Sequence, residues 1–374
     1  MRPLKDKIIY FLGAGFSFPA GAPTQSQLTR DIFNFDVDEF VETHGHHYPD
    51  PANIRDLAPV KQFIENNFLL NLEDADLEDV YTPIDRCIIE GTSFKGKNPR
   101  QLTDLRIKLN AIISLIMDSK LRYPVEDAYI TKLAAHMVES NKTADRLVVM
   151  TSNWDILLDN SVTDIIRGSG DVVDYCCHFT HSDGGDPFPP PLVAKERGNQ
   201  NHKILKLHGS LNWLWCSNCG RILVKYGEKI ALQSYLGQAT CRFCATETLT
   251  PQILMPTFLK DTSNTQLKNV WNQAGIELSE ARRIVFIGYS FPLADFEIRQ
   301  LLARFIRPET EIEVVLTASS NPESYSEIDP ELQTGILWNL PSARYKRFFA
   351  KNQPTFCYDG VKRYIDDNFS EVEE

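Results

Sequence analysis

Apolar residues fall in two rhythms along this chain. The first is a set of short unbroken runs. Ile8-Ile9-Tyr10-Phe11-Leu12 leads straight into Gly13 and Gly15, and similar runs recur at Leu147 to Met150, Ile204 to Leu207, Ile284 to Ile287 and Ile312 to Leu316. Runs of this kind suit parallel strands covered on both faces. The second rhythm is helical. Thr24 or Ser26 can cap a helix in which Leu28, Ile32 and Phe33 recur, and helical spacing returns at Leu267 to Leu278 and Phe296 to Ile306. Between Asp36 and Asp145 no strand run appears. Amphipathic stretches take its place at Val60 to Leu70, Leu77 to Ile89, Leu102 to Met117 and Ala128 to Val138. Strand alternating with helix predicts an α/β fold, a Rossmann-like doubly wound parallel sheet, with a helical module inserted after the first strand and helix. Gly184 to Pro191 reads as a flexible loop, and there is no internal repeat.

Composition narrows the function classes. A chain of 374 residues is long enough for two or three lobes around a sizeable core. The formal net charge is −11 and no dense Lys/Arg stripe stands out, so direct nucleic-acid binding is not expected. The run Ile8 to Leu12 is too short to span a bilayer and lacks the basic start and cleavage site of a secretory signal. The expected location is the cytoplasm, with no membrane partner. In such a setting eight cysteines point to metal rather than to a disulfide framework.

Ligands of open α/β sheets sit beyond the carboxyl ends of the strands, so the residues after each run carry the chemistry. Gly13-Ala14-Gly15-Phe16-Ser17 could bring backbone N–H groups close to a pyrophosphate. A strict dinucleotide fingerprint would need glycine where Phe18 stands, and an ordinary tight turn uses the same glycines. Asn153 and Asp155, in Thr151-Ser152-Asn153-Trp154-Asp155, offer an amide and a carboxylate, though both residue types also cap helices. His208, followed by Gly209, could act as a general base or simply bond within its turn. Gly288-Tyr289-Ser290 is another small polar turn. Each alone is unremarkable; the force lies in four of them sharing one topological position.

Cys216-x-x-Cys219 and Cys241-x-x-Cys244, about twenty residues apart, match a zinc ribbon in which each pair spans one tetrahedral edge. Four thiolates leave no open position, so the zinc is expected to be structural. Cys87, Cys176, Cys177 and Cys357 lack such spacing and read as ordinary residues, and His44, His46 and His47 read as a solvated loop.

The ordered set GAGFS, GAP, TSNWD, HGS, paired CxxC and GYS resembles the sirtuin family across about Ile8 to Leu316. TSNWD and GYSFPLAD resemble its bacterial branch, many members of which are antiphage defence proteins that destroy NAD. The resemblance implies a catalytic NAD-binding domain at 1–35 and 146–320, an inserted module at 36–145, a zinc-ribbon module at 211–250 and a C-terminal extension at 321–374. It also implies roles. Gly13, Ala14, Gly15 and Ser17 would surround the NAD phosphates, and Asn153 would hold the ribose or the reacting water. Asp155 would bond the nicotinamide amide, His208 would be the base, and Gly288 and Ser290 would face the adenosine. Two departures stand out. Met255-Pro256-Thr257-Phe258-Leu259-Lys260 occupies the place of the acyl-lysine segment of deacylases, and Leu316-Thr317-Ala318 replaces the expected asparagine.

The chemistry agrees with that set. Nicotinamide leaves NAD as a neutral molecule, so no general acid is needed, and one positioned amide and one base suffice. The leading expectation is an NAD hydrolase; an NAD-dependent protein deacylase and a non-catalytic NAD-binding scaffold remain open. Because unrestrained NAD hydrolysis would kill its own cell, and because the helices of 36–145 offer apolar faces but carry no catalytic motif, a homo-oligomer with a regulatory partner such as a HerA-type ATPase is also expected; the same module could instead roof the NAD pocket.

Overall fold

The parallel strands form where the apolar runs predict them. The computed structural model describes residues 6–48, 52–68, 76–125, 127–142, 144–181, 199–235, 240–241, 243–245, 249–261, 264–326 and 330–369. The loop expected over Gly184 to Pro191 lies outside them. β1 (Ile8–Leu12) runs into a single turn, α1 (Ala14–Ser17), and then α2 (Gln25–Phe33), which Thr24 and Gln27 start with a reciprocal capping box. The inserted helices follow: α3 (Val37–His44), α4 (Ala52–Arg55), α5 (Ala58–Asn67), α6 (Leu77–Glu90), α7 (Pro99–Lys120) and α8 (Ala128–Asn141). The longest, α7, is fixed at its start by an Asn98–Gln101 capping box and buries Leu102, Leu105, Leu109, Ile112 and Ile116.

The chain then returns to the sheet through β2 (Leu147–Thr151), α9 (Leu157–Ile165), β3 (Val172–Asp174), β4 (Phe179–His181) and β5 (Asn201–Lys206). A second, smaller sheet takes β4 with β6 (Gly209–Cys216), β7 (Ile222–Val224) and β8 (Leu249–Ile253), and α10 (Ala231–Tyr235) lies between β7 and β8. After it come α11 (Thr265–Glu280), β9 (Arg283–Ile287), α12 (Phe296–Phe305), β10 (Glu311–Val315), α13 (Pro330–Asn339), α14 (Pro341–Phe348), β11 (Thr355–Cys357) and α15 (Val361–Asn368).

The main sheet has seven strands in the order β11-β10-β9-β1-β2-β5-β3, all parallel. From β1 the chain steps out to β2 on one side, where β5 later inserts between β2 and β3, and then through β9, β10 and β11 on the other, so the strand order reverses between β1 and β9. Right-handed crossovers to either side place their helices on opposite faces, which makes the sheet doubly wound. Every residue of β2 is buried, as a strand covered on both faces requires. One core joins the sheet to the inserted helices, and a small second core of Leu214, Leu223, Ile230 and Leu249 surrounds the cysteines.

The structure departs from the sequence expectations at several points, the smaller sheet of β4, β6, β7 and β8 among them. The edge strands β3 and β11 were not foreseen, because three residues are too few to leave an apolar run. β11 brings part of the 321–374 segment into the sheet beside β10. His44, His46 and His47, expected in a loop, close α3 and form one 3-10 turn. No helix among the described residues is long and apolar enough to cross a membrane.

Candidate functional site

Register brings the four turns together. Lys206 pairs with Thr151, Thr151 with Leu12, and Leu12 with Ile287, so these strand ends stand level in one row. The segments leaving them are the four turns singled out by sequence.

Two of the turns interlock through their backbones. Gly13 N–H donates to the Ile287 carbonyl at 3.1 Å and Gly15 N–H to the Gly288 carbonyl at 2.8 Å. Gly288 has φ of +63°, and a Cβ there would lie 2.3 Å from the Phe16 nitrogen. Only glycine tolerates both the left-handed backbone and that approach. Ala14 and Ser290 are exposed, Gly15 and Gly288 half-buried, and Gly13 and Ser17 buried. Phe291, fully buried, also has positive φ, and its ring packs on Tyr345 and Phe348 of α14.

Asn153 is not a helix cap. Its Nδ2 donates to the Gly13 carbonyl at 2.9 Å and to Ser17 Oγ at 3.1 Å, and its own N–H is held by Thr151 Oγ1. The amide therefore ties the second turn to the first. Asp155 behaves as a local cap: its Oδ1 accepts from Leu157 N–H at the start of α9. Lys206, buried, donates to the Asp155 carbonyl and to Asp159 Oδ2, locking this turn to β5.

His208 is buried, and its Nε2 has no hydrogen-bond partner. Asp295 Oδ1 lies 3.7 Å from that nitrogen. Burial pushes the imidazole down to about 4; Asp295 pulls the other way, Lys260 adds to the lowering, and a bond to the Ser152 backbone favours the protonated form. The ring is thus neutral at pH 7, the state a proton acceptor needs. Burial alone would raise the Asp295 carboxyl, but the charges of His208 and Lys260 and the Tyr289 hydroxyl hold it below the usual carboxylate range.

Asp295, Lys260 and Tyr289 had no assigned role in the sequence reading. Asp295 stands directly before α12, where a cap is expected, yet its side chain makes no cap bond. Lys260 follows β8, in the segment noted above as a departure, and Tyr289 is the middle residue of the Gly-Tyr-Ser turn. A groove between α8 and α9, lined in part by Asp127, Thr131, Asn160 and Asp164, contains none of the motif residues.

Cys216, Cys219, Cys241 and Cys244 come together with all four sulfurs within 4.8 Å of one another. Cys216 Sγ and Cys244 Sγ are 3.5 Å apart, and Cys219 Sγ and Cys241 Sγ 3.8 Å. Zinc–sulfur bonds of about 2.3 Å at tetrahedral angles give edges of about 3.8 Å. These separations fit a four-thiolate metal site and are far too long for disulfides.

No protein-family profile and no curated protein sequence matches the chain. Among solved structures it is similar to a Sir2 homologue in complex with NAD (14% identity, 96% of this chain and 87% of that one, TM-score 0.43). It is also similar to a mutant Sir2 homologue in complex with ADP-ribose (13% identity, 96% and 92%, TM-score 0.40). A third is a Sir2 with an inhibitor, 2′-O-acetyl-ADP-ribose and a deacetylated peptide (13%, 96% and 91%, TM-score 0.36).

Proposed function

We propose that this protein is an NAD hydrolase that cleaves the nicotinamide–ribose bond, giving nicotinamide and ADP-ribose, and that it depletes NAD in antiphage defence. The observation that carries the reading is the row of four turns at the strand-order reversal, with a buried neutral histidine at one end and interlocked glycine turns at the other. Gly13, Ala14, Gly15 and Ser17 bind the phosphates, Gly288 and Ser290 face the adenosine, and Asp155 recognises the nicotinamide amide. Asn153 sets the ribose and the attacking water. The C1′–nitrogen bond breaks with its electron pair passing to the pyridinium, which leaves neutral. Water oxygen bonds to C1′, and His208 takes the water proton. A base so placed contributes about 10²–10⁴-fold.

The test is nicotinamide release from NAD with and without an acyl-peptide. Release that needs no peptide and is lost in Asn153→Ala supports hydrolysis. Release that appears only with peptide makes the protein a deacylase, and NAD binding without release makes it a scaffold.

The cysteine cluster holds one structural zinc. Metal analysis should find one zinc per chain, and chelation should lower the melting temperature before it alters turnover in protein that remains folded; well under one zinc per chain overturns this. The reading carries with it a homo-oligomer and a HerA-type ATPase partner in the cytoplasm. A monomeric mass in solution, with and without such an ATPase, counts against both.

A further inference from the structure

We propose that Asp295, held by Lys260 and Tyr289, is the positioning residue of His208. This rests on the hydrolase reading for its reaction, but its geometry stands apart from that reading. Asp295 is buried and accepts on both oxygens: Tyr289 Oη donates to Oδ2 at 2.7 Å and Lys260 Nζ to Oδ1 at 3.0 Å. Lys260 is itself buried and also donates to the Ala294 carbonyl at 2.7 Å, with Glu297 Oε2 3.8 Å away. Each element packed on this spot contributes one held group, so the Asp295 carboxylate is fixed without using His208. His208 is then left facing a pre-set charge at 3.7 Å, with its Nε2 unpartnered.

The neighbouring charges explain what the arrangement does. Asp295 and Glu297 lie beside Lys260, and the buried Glu78 of α6 also feels its charge, so carboxyl groups surround the one ammonium; a proton on His208 adds positive charge next to Asp295. Burial disfavours the imidazolium formed when water is deprotonated, and the Asp295 carboxylate, fixed beforehand, offsets part of that cost with no reorganisation during the step. Lys260 opposes this by drawing on the same Oδ1 atom. The two residues thus act on His208 with opposite sign: Asp295 favours its protonated form and Lys260 disfavours it. A purely structural ion pair has no such signature, because losing either partner would do the same kind of damage.

The experiment uses the full-length, zinc-loaded protein and two readouts: the NMR titration of the His208 ring, and the pH profile of nicotinamide release from NAD. Asp295→Asn should leave the ring neutral at about pH 4, where the wild-type ring is half protonated. It should lower kcat about tenfold with little change in KM, since an opposite charge at this range shifts a group by about one pKa unit or more. Lys260→Met should raise the ring's midpoint and move the acid limb of the profile to higher pH, and Lys260→Arg should restore both. Tyr289→Phe, which removes only a hydroxyl, should move the profile in a graded way and serves if Asp295→Asn does not fold. Midpoints that move in the same direction in the aspartate and lysine variants, or that stay at the wild-type value in folded protein, overturn the proposal. Wild-type protein that releases no nicotinamide defeats the hydrolase reading, while the ring midpoints still decide whether Asp295 and Lys260 set His208.

Discussion

Two buried ion clusters sit at opposite ends of the same sheet, and they are built differently. At the amino ends, Lys7 precedes β1, Asp145 precedes β2, and Lys203 lies in the amino half of β5. Both lysines bond to Glu277 of α11 and to Asp145, and Gln273 also donates to Glu277. Every charge there has a partner. Burial would lower Lys7 and Lys203, but Glu277 and Asp145 outweigh it and both stay raised, so both ammonium groups keep their charge across the neutral range. At the carboxyl ends, Lys260 and Asp295 are paired while the Nε2 of a buried imidazole is left without a partner. A sheet that satisfies every charge at one end can satisfy them at the other. Open polar atoms occur at both ends, since both ring nitrogens of buried His202 in β5 are also unpartnered; what sets His208 apart is its place at the carboxyl ends, where α/β sheets bind ligands.

The comparison can be broken from either side. The largest expected effect is at the amino end. Glu277→Ala leaves two buried ammonium groups short of their main partner and should cost about 3–5 kcal/mol of stability. Turnover per folded molecule should stay within a few-fold of wild type. A melting curve and an active-site titration check both, and a tenfold loss of turnover in folded protein would show that the two ends are coupled.

The next effect concerns pH. His208 has a folded-state pKa of about 4 against an ordinary value of 6.5. As pH falls below 6.5 the unfolded chain takes up the proton first, so this residue lowers stability progressively down to about pH 4, where the loss levels off. The difference corresponds to about 3 kcal/mol. His208→Gln should remove that slope, so that the variant is relatively more stable than wild type at pH 5 than at pH 8. Denaturant melts at the two pH values test it, and parallel losses in both proteins would contradict the burial argument.

The smallest effect is a control at the same amino edge. Arg282 is exposed and lies 3.9 Å from Glu311 and 3.8 Å from Asp6. Such pairs are screened by water, so Arg282→Ala should change stability by no more than about 1 kcal/mol. A larger loss would mean that burial is not what separates the strong ion pairs from the weak ones.

Much of the fold was legible because burial on both faces writes long apolar runs. β1, β2, β5, β9 and β10 each left one, and the four turns could be read as neighbours before their register was known. The three-residue strands β3 and β11 wrote nothing that a turn would not also write. The cysteine cluster was legible from spacing alone, since two short bites determine a tetrahedron. His208 and Asn153 were legible from their place after strands, but what they touch was not: the bond from Asn153 to Gly13 and Ser17 spans more than a hundred residues of chain. Asp295 was hidden by its position. An aspartate directly before a helix is the expected cap, and only three dimensions show that it faces Lys260, Tyr289 and His208 instead.

The central claim is that His208 is the proton acceptor of an NAD-cleaving site. It is tested most directly by measuring nicotinamide release from NAD by wild type and His208→Ala, with zinc content and melting temperature recorded on the same samples. The account predicts release by wild type and a loss of about 10²–10⁴-fold in the variant, with zinc retained and the fold intact. Equal release by two folded proteins would contradict it.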